Sequence, residues 1–393
     1  MPGACPADAS THIPFAPEPP GRAQPSCVFM TGVSHNTTAF FPGVQCIMHQ
    51  LRKVRSQVPL VIAVPAEEEA LAKTLLAADE AGDSSAGSID VSIRVWNRFP
   101  YDYGRSSRVA GGASLFQRRW RSSHVFDKLN VLGAPWTKLV WLDADVLIKR
   151  NVDELCTDDS RERTAGPSLQ AAVDSGFEPR TCFQQRHGVQ CHGCQHHGLH
   201  ADEVCKSCGY WTYQAMTQQA AGNRSHLPEC TYEFNTGVLV VRPLGAAAFD
   251  ELVVRPVRCG VVATRDGSDQ GLFNSLVHSR KIFGPRGFGT LPSQYNMLHR
   301  VYNVRPPAWQ RVDPAVVHLV GERKPWGAKA RESAFLHYGS VYLETERQWL
   351  TACGDAEVTQ FLEVKAQEAA VEKERRAMLA HAKVGRRAKP AGS

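Results

Sequence analysis

The stretch "KLVWLDADVLIKRNVDEL" places two carboxylates, Asp143 and Asp145, one residue apart after an apolar run that is typical of a buried strand. Carboxylate oxygens are preferred ligands of hard divalent cations such as Mn²⁺ and Mg²⁺, which often bridge a protein to substrate phosphates. The spacing therefore indicates a metal site at a strand end, and a strand end followed by a plain turn is the alternative. An EF-hand loop is excluded, because Leu147 and Ile148 stand where it needs Asp or Asn and then Gly.

A second group of metal-ligand residues lies in a block rich in Cys and His. Cys191-x2-Cys194 and Cys205-x2-Cys208 are separated by ten residues. Paired C-x2-C motifs at such a spacing are typical of tetrahedral zinc sites, so we expect a structural Zn²⁺ here. A disulfide-linked loop or an unstructured Cys/His tract is the alternative. The histidines that could replace a thiolate are His192, His196, His197 and His200.

The apolar run before the acidic pair is one of several strands that alternate with helices. The pattern predicts strands at "CVFMTGV", "PLVIAV", "SIRVW" and "KLVWL", and helices at "VQCIMHQLRKVR", "EEEALAKTLLAAD" and "SHVFDKLNVLGA". Such units are typical of an α/β fold, with a mostly parallel sheet covered by helices on both faces. Open sheets of this class bind ligands outside the carboxyl ends of their strands, where Asp143 and Asp145 would project. The acidic pair is therefore placed like a binding site.

Composition excludes several classes of protein. The 393 residues are 43% apolar, and 45 Lys and Arg against 39 Asp and Glu give a formal charge of +6. This mild excess is typical neither of a nucleic-acid-coating protein nor of an acidic tail protein. The sequence has no run of about 18 apolar residues, and its first residues lack an apolar stretch of signal-peptide length. We therefore expect a cytoplasmic protein with no membrane span and no nucleic-acid partner; the oligomeric state stays open.

Three parts follow one another along the chain. Residues 1–26 are predicted to be a flexible Pro-rich leader, and 27–331 a single domain with a Cys/His-rich insertion at about 180–230. Residues 332–393 are predicted to be a helical extension with a disordered basic end. Six of the 12 cysteines fall in the insertion and the others are scattered singly. This clustering favours a local metal site over a disulfide framework.

Ordered motifs connect the acidic pair to the rest of the domain: "FDKL" followed by "KLVWLDADVLIKRNVDEL", then "FNTGVLVVRP", "RDGSDQGLFN", "LPSQYNM" and "VVHLVGERKPW". In this order they resemble the family 8 glycosyltransferases, the group that contains glycogenin and galactinol synthase. The resemblance extends from about Cys27 to Trp326. It implies a Rossmann-like nucleotide-diphospho-sugar transferase fold. It also implies retaining, metal-dependent transfer of a hexose, glucose or galactose, from a UDP-sugar to a hydroxyl of a small-molecule or glycan acceptor.

The resemblance also implies roles for single residues. Asp143, Asp145 and His318 would hold Mn²⁺ or Mg²⁺ against the diphosphate of the UDP-sugar. A leaving UDP develops negative charge that a divalent cation and an ammonium group can stabilise. The substrate-binding residues that the resemblance implies are Lys128, Ala144, Asp174, Asn235, Gly237, Gly321 and Lys324.

The catalytic residues implied in the same way are Asp266, Asp269 and Gln270. Retention requires either attack by a carboxylate on the anomeric carbon or arrival of the acceptor on the face from which UDP departs. With Gln270 closest to that carbon by analogy, we expect front-face attack, with Asp269 and Gln270 stabilising the oxocarbenium-like state. A turn before a helix is the alternative for Asp266.

Two other functions remain open. The first is self-glucosylation as in glycogenin, for which Tyr302 is a conceivable acceptor, although its flanks "HRVYNVRPP" lack the Tyr-x-Tyr and apolar run of self-glucosylating relatives. The second is a catalytically silent, zinc-containing binding protein, against which the intact motifs argue. A departure from the family lies at Phe40, where relatives commonly carry Tyr beside the uracil; stacking would survive this change and a phenolic hydrogen bond would not.

Overall fold

The structure is a computed structural model that describes residues 11–17, 24–34, 38–80, 89–101, 125–157, 168–174, 234–262, 268–279, 282–283, 287–299, 312–320, 324–326 and 348–353. Several predicted features lie outside these residues: the candidate zinc ligands Cys191, Cys194, Cys205 and Cys208, together with Asp266, Tyr302, Gly321 and the extension beyond 353. They stay predictions.

A seven-stranded sheet forms the centre of the described fold, in the order β3-β2-β1-β4-β7-β6-β8. Its strands are β1 (Cys27–Gly32), β2 (Leu60–Val64), β3 (Val91–Val95), β4 (Lys138–Leu142), β6 (Leu169–Val173), β7 (Phe234–Val241) and β8 (Phe288–Thr290). Strand β7 pairs antiparallel with both of its neighbours, and the other pairings are parallel. The predicted mostly parallel α/β sheet is therefore confirmed.

Helices lie on both faces of this sheet. The α-helical elements are α1 (Phe41–Lys53), α2 (Glu69–Glu80), α3 (Ala246–Phe249), α4 (Arg255–Arg258) and α5 (Asp269–Asn274). A π-helical stretch, Asp250–Val254, joins α3 to α4, and another, Ser275–Ser279, continues α5. The 3₁₀-helical segments are Thr38–Phe40, Ala66–Glu68, Val125–Gly133, Asp153–Leu155 and Ser293–Tyr295.

The alternation of side chains along each strand builds a core on each face of the sheet. Leu139 and Trp141 of β4 belong to the cluster that contains the Val125–Gly133 segment and Phe249. Val140 belongs to the cluster on the α1 and α2 side. Because β4 is buried on both faces, its sequence after Lys138 is a continuous apolar run with no polar alternation, as expected for an internal strand.

A small second sheet carries part of the motif "VVHLVGERKPW". It contains β5 (Val146–Ile148), β9 (Met297–Leu298) and β10 (Val316–His318) in the order β5-β10-β9. Strands β5 and β10 are antiparallel, with His318 opposite Val146. The residue that precedes Val146 is Asp145, so this register brings the carboxyl end of β4 next to the end of β10.

The expectation of a flexible leader does not hold for residues 11–17. Phe15 is 4% exposed and packs edge-on against Trp136 at 5.7 Å between ring centroids. Asn97 N donates to Pro14 O at 2.9 Å, so this segment covers the edge of the sheet beside β3. Burial of the Phe15 side chain contributes about 1.5 to 3 kcal/mol to holding this segment in place, in addition to the backbone hydrogen bond.

Two disulfides join distant parts of the described chain. Cys27 bonds to Cys156 with a sequence separation of 129 and a Cα–Cα distance of 5.7 Å. Cys46 of α1 bonds to Cys353 with a separation of 307 and a Cα–Cα distance of 4.7 Å. The clustering of the cysteines was expected to favour a metal site over a disulfide framework, but these four, which are scattered singly in the sequence, form disulfides because the fold brings them together. Within the residues described, no helix has both the length and the apolar character needed to cross a bilayer.

Candidate metal and diphosphate site

The acidic pair lies in a tight turn between the two sheets. Asp143 N donates to Gly237 O at 2.8 Å, which continues the β4–β7 pairing one residue beyond Leu142. The turn is closed by Val146 N, which donates to Asp143 O at 3.2 Å. Both carboxylates are thus fixed at the carboxyl end of a buried strand, as the sequence pattern predicted. Asp145 is 4% exposed.

His318 completes a cluster with these two carboxylates. Its Nε2 lies 3.2 Å from Asp145 Oδ1 and 3.7 Å from Asp143 Oδ2. Within the described part of the chain, one ligand atom from each of the three residues lies within 4.8 Å of the others, an arrangement that can hold a metal ion. The close approach of the imidazole depends on Gly237, because a Cβ there would stand 2.1 Å from His318 Nδ1.

The hydrogen bonds of Asn235 determine which nitrogen of the His318 ring carries the proton. Gly237 N, which can only donate, bonds to Asn235 Oδ1 at 2.9 Å, so this atom is the amide oxygen. His318 Nδ1 lies 2.9 Å from the same oxygen and therefore carries the proton. The lone pair or second proton of Nε2 then faces the two carboxylates. A histidine ligand whose other nitrogen donates to an amide oxygen is the usual second-sphere arrangement of a metal site.

Two lysines contact the carboxylates of the cluster. Lys128 Nζ lies 2.7 Å from Asp143 Oδ1 and 3.1 Å from Asp269 Oδ2. Lys324 Nζ donates to Asp145 Oδ2. Both ammonium groups therefore border the same small volume, although their residues stand 196 positions apart in the sequence.

Burial and ion pairing act in opposite directions on these groups. Burial raises the pKa of Asp143 above its ordinary value, against the effect of Lys128. Burial would also raise the pKa of Asp145, but Lys324 and His318 outweigh it and the pKa lies well below its ordinary value. For Lys128, burial would lower the pKa, but the carboxylates of Asp143 and Asp269 outweigh it and raise the pKa. Asp145 is thus an anion and Lys128 a cation at neutral pH.

A polar relay connects the cluster to the residues expected to surround the sugar. Asn235 Nδ2 donates to Gln270 Oε1 at 3.0 Å, and Gln270 Nε2 donates to Asp174 Oδ2 at 2.8 Å. Because Gly237 N fixes the orientation of Asn235, the amide of Gln270 is fixed in turn. Ser268 caps α5 by accepting from Gly271 N at 2.9 Å, which holds Asp269 and Gln270 at the start of that helix. The relay runs from His318 through Asn235 and Gln270 to Asp174.

The predicted site residues that the structure describes converge on one place. Contacts join the residues expected to bind metal, bind substrate or act in catalysis: Asp143, Asp145, His318, Lys128, Lys324, Asn235, Gly237, Asp174, Asp269 and Gln270. Ala144 lies between the two carboxylates and is 7% exposed. The backbone of α1 approaches it so closely that a Cβ at Gly43 would stand 2.5 Å from Ala144 O.

Sequence reasoning missed two residues that support the cluster. Trp141 Nε1 donates to Asp143 Oδ1 at 2.6 Å, from within the apolar run of β4. Asn296 is 2% exposed, and its Nδ2 donates to Asn235 Oδ1 at 2.9 Å. The signal for Asn296 was present, since a buried Asn needs partners and this one stands in the motif "LPSQYNM". Nothing in the strand pattern distinguishes Trp141 from a core residue.

Comparison with solved structures finds similarity to several glycosyltransferases. The chain is similar to the galactosyltransferase LgtC, solved with donor and acceptor sugar analogs, at 17% identity and a TM-score of 0.47, over 84% of this chain and 96% of that one. It is similar to the bifunctional glycosyltransferase WbbM at 14% identity and a TM-score of 0.47, over 87% of this chain and 52% of that one.

The third similar structure is mouse xyloside xylosyltransferase 1, at 12% identity and a TM-score of 0.40, over 74% of this chain and 96% of that one. No protein-family model and no curated protein matches the chain. All three of these solved structures are glycosyltransferases by name.

Proposed function

We propose that the protein is a retaining glycosyltransferase that moves a hexose from a UDP-sugar to a hydroxyl acceptor, with a divalent cation bound by Asp143, Asp145 and His318. The cluster of these three residues between Lys128 and Lys324 is the observation that carries the proposal. Its donor set of two carboxylates and one imidazole fits Mn²⁺ better than Mg²⁺, because an imidazole nitrogen is a softer ligand than the oxygens that Mg²⁺ prefers.

The charges of the site support a diphosphate as the group that it binds. The ammonium groups of Lys128 and Lys324 contact three carboxylates, those of Asp143, Asp145 and Asp269, so with His318 neutral, as a metal ligand must be, the site without a cation has an excess of negative charge. A divalent cation reverses this balance and makes the site attractive to an anion. A nucleoside diphosphate is an anion that bridges a metal and flanking ammonium groups, as the site requires.

The bound cation would act as a Lewis acid on the leaving diphosphate. The chain itself supplies the other contacts. Lys128, which is buried and charged, is placed to stabilise the negative charge that develops as the bond to the sugar breaks. The fixed amide of Gln270 and the carboxylates of Asp174 and Asp269 lie on the side that we assign to the sugar. Because an amide is a poor nucleophile, front-face attack by the acceptor fits Gln270 better than a covalent intermediate on this residue.

The test is a screen of UDP-sugars for UDP release with and without Mn²⁺, on the intact protein and on Asp145→Asn. Asn keeps the shape of the side chain and removes the charge, so we expect Mn²⁺-dependent release that the variant loses. Asp313→Asn is the matched control, because Asp313 is exposed, pairs with Arg150 and has a φ of 46° that Asn tolerates. Undiminished release by Asp145→Asn, or equal loss in the control, would contradict the metal assignment.

The acceptor is tested separately by intact-mass spectrometry after incubation with UDP-glucose and Mn²⁺. We expect an unchanged mass and release of UDP that requires an added sugar or polyol. A ladder of hexose additions that Tyr302→Phe removes would favour self-glucosylation instead.

A further inference from the structure

A short segment near the C-terminus packs behind the small sheet. Residues 348–352 are helical, and Trp349 is 2% exposed. The segment ends at Cys353, whose disulfide to Cys46 attaches it to α1. We call residues 348–353 the C-terminal brace. None of the motifs that resemble a known family includes it.

The brace covers the face of the small sheet that lies opposite the metal cluster. Leu147 of β5 and Val317 of β10 belong to one apolar cluster with Trp349 and Leu350. Successive residues of a strand point to opposite faces. His318, which follows Val317, therefore points away from the brace and toward the carboxylates. The brace is thus the support against which the ligand-bearing strand is packed.

A row of aromatic rings connects the brace to Lys324. The ring centroid of Trp349 lies 5.4 Å from that of Trp326, and the ring of Trp326 lies 5.5 Å from that of Phe40. Lys324 Nζ stands 5.9 Å from the centroid of Phe40. Trp326 is also wedged against α1, since a Cβ at Gly43 would lie 2.7 Å from its ring. The position of Lys324, two residues before Trp326, depends on this packing.

The Cys46–Cys353 disulfide holds the aromatic row at the end that contains Trp349. Cys353 N donates to Trp349 O at 2.9 Å, so the bridged cysteine and the tryptophan stand one helical turn apart. The other end of the bridge, Cys46, lies in α1, and Gln50 one turn later donates to Val146 O at 3.2 Å. The disulfide therefore joins the brace to the helix that also holds the strand next to Asp145.

We propose that the C-terminal brace is a positioning element for the metal and diphosphate site, with the Cys46–Cys353 disulfide and Trp349 as its positioning residues. It acts through two groups, His318 on the supported strand and Lys324 on the supported aromatic row. Cleavage of this disulfide therefore weakens cation and donor binding without removing any ligand. The proposal rests on the proposed function for the identity of the ligands, and on the packing alone for the mechanical coupling.

The experiment compares two single replacements that each cut one disulfide and leave one thiol. Cys353→Ala releases the brace. Cys156→Ala is the matched control, because it cuts the bond to Cys27 at the start of β1, the end of that strand opposite the carboxyl ends where the site lies. The dissociation constant of Mn²⁺ is measured without nucleotide from the electron paramagnetic resonance signal of the free ion. KM for the donor and kcat are measured alongside.

We expect Cys353→Ala to raise the Mn²⁺ dissociation constant about 10-fold, the lower end of the effect of second-sphere changes at metal sites. We also expect Cys353→Ala to raise KM for the donor more than it lowers kcat. Cys156→Ala should change the Mn²⁺ dissociation constant and KM for the donor by less than about two-fold. Trp349→Ala, which keeps the disulfide, should reproduce the loss, and Trp349→Phe should restore most of the affinity. Equal effects of the two cysteine replacements, or wild-type affinity in both Cys353→Ala and Trp349→Ala, would overturn the proposal.

Hydrogen exchange separates this proposal from the proposed function, because it needs no ligand. In Cys353→Ala we expect faster exchange of the amides of β10 than in the intact protein, and no such change in Cys156→Ala. Suppose that the intact protein neither binds Mn²⁺ nor releases UDP, but that the two variants show this difference in exchange. The proposed function is then wrong, and the mechanical coupling between the C-terminal brace and β10 stands. Unchanged exchange in β10 after loss of the disulfide contradicts the coupling whatever the function.

Discussion

The replacement Gly237→Ala tests the geometry of the candidate metal site most directly. The added Cβ would lie 2.1 Å from His318 Nδ1 and 2.3 Å from Cε1. Ordinary contact between such atoms is about 3.5 Å, so the ring has to move by roughly 1.4 Å. The backbone of Gly237 cannot move instead without cost, because its carbonyl accepts from Asp143 N at 2.8 Å and its N–H donates to Asn235. The ring of His318 is therefore the part that shifts.

A shift of that size breaks the bond from His318 Nδ1 to Asn235, now 2.9 Å long, and turns Nε2 away from the carboxylates. Metal ligands tolerate deviations of about 0.2 Å. We therefore expect Mn²⁺ affinity to fall about 10- to 100-fold, which corresponds to about 1.4 to 2.7 kcal/mol. Overpacking of a buried site should also lower the free energy of unfolding by about 1 to 3 kcal/mol.

Titration with Mn²⁺, followed by the resonance signal of the free ion, measures the affinity, and urea unfolding measures the stability. Gly245→Ala is the matched control, since a Cβ at Gly245 meets no atom within 4 Å. It should leave Mn²⁺ binding unchanged. The double variant Gly237→Ala/His318→Ala should recover stability, because the added methyl group then has room, without recovering affinity.

One result would refute this reasoning. If Gly237→Ala is folded and binds Mn²⁺ within about two-fold of the intact protein, His318 either does not ligate the ion or does not pack on Gly237. A loss of stability that persists in the double variant would show that the clash lies with another group.

The remaining predictions concern other parts of the molecule. Asn235→Ala should weaken Mn²⁺ binding about 10- to 100-fold, because it removes the hydrogen bond that orients the His318 ring. A Mn²⁺ titration with an unchanged endpoint and midpoint would contradict this. Phe15→Ala should lower the free energy of unfolding by about 3 to 5 kcal/mol, measured with urea, if residues 11–17 belong to the folded domain. Elemental analysis should find about one zinc per chain that the double replacement of Cys191 and Cys194 with Ser removes; unchanged zinc would contradict the site.

Local pattern was sufficient to predict the strand end that carries Asp143 and Asp145. Every residue of the run "KLVWL" after the first is apolar. A continuous apolar run is the pattern of a strand that is buried on both faces. The carboxyl end of such a strand is where ligands bind, so the location of the acidic pair followed from two general rules. The identity of His318 and Lys324 as partners came instead from the ordered motifs, since no local rule connects residues more than 170 positions away.

Other features depended on long-range packing that periodicity does not encode. The strand pattern of β7 does not say that it runs antiparallel to β4, because a strand buried on both faces has the same sequence in either direction. The helix predicted at "SHVFDKLNVLGA" is a 3₁₀ segment over Val125–Gly133, which is buried from Phe126 onward. Tertiary contacts therefore overrode local helix propensity there. Phe15 stands in a Pro-rich stretch whose composition indicated flexibility, and its position depends on a buried ring and on backbone hydrogen bonds to the sheet edge that the composition does not encode.

For the cysteines, predictions from local sequence pattern and the long-range pairing in the fold lead to different expectations. Cys27, Cys46, Cys156 and Cys353 are bridged, and disulfides of this kind persist in oxidising compartments, which weighs against the cytoplasmic location expected from the N-terminal sequence. The zinc site that we predict at the C-x2-C pairs of the insertion requires thiolates, so its cysteines must avoid the oxidation that forms the bridges. A bound metal ion keeps its thiolate ligands together, whereas the bridged cysteines are 129 and 307 residues apart in the sequence and are brought together by the fold. Disulfides between distant cysteines and a predicted zinc site built from local pairs are therefore compatible in one molecule.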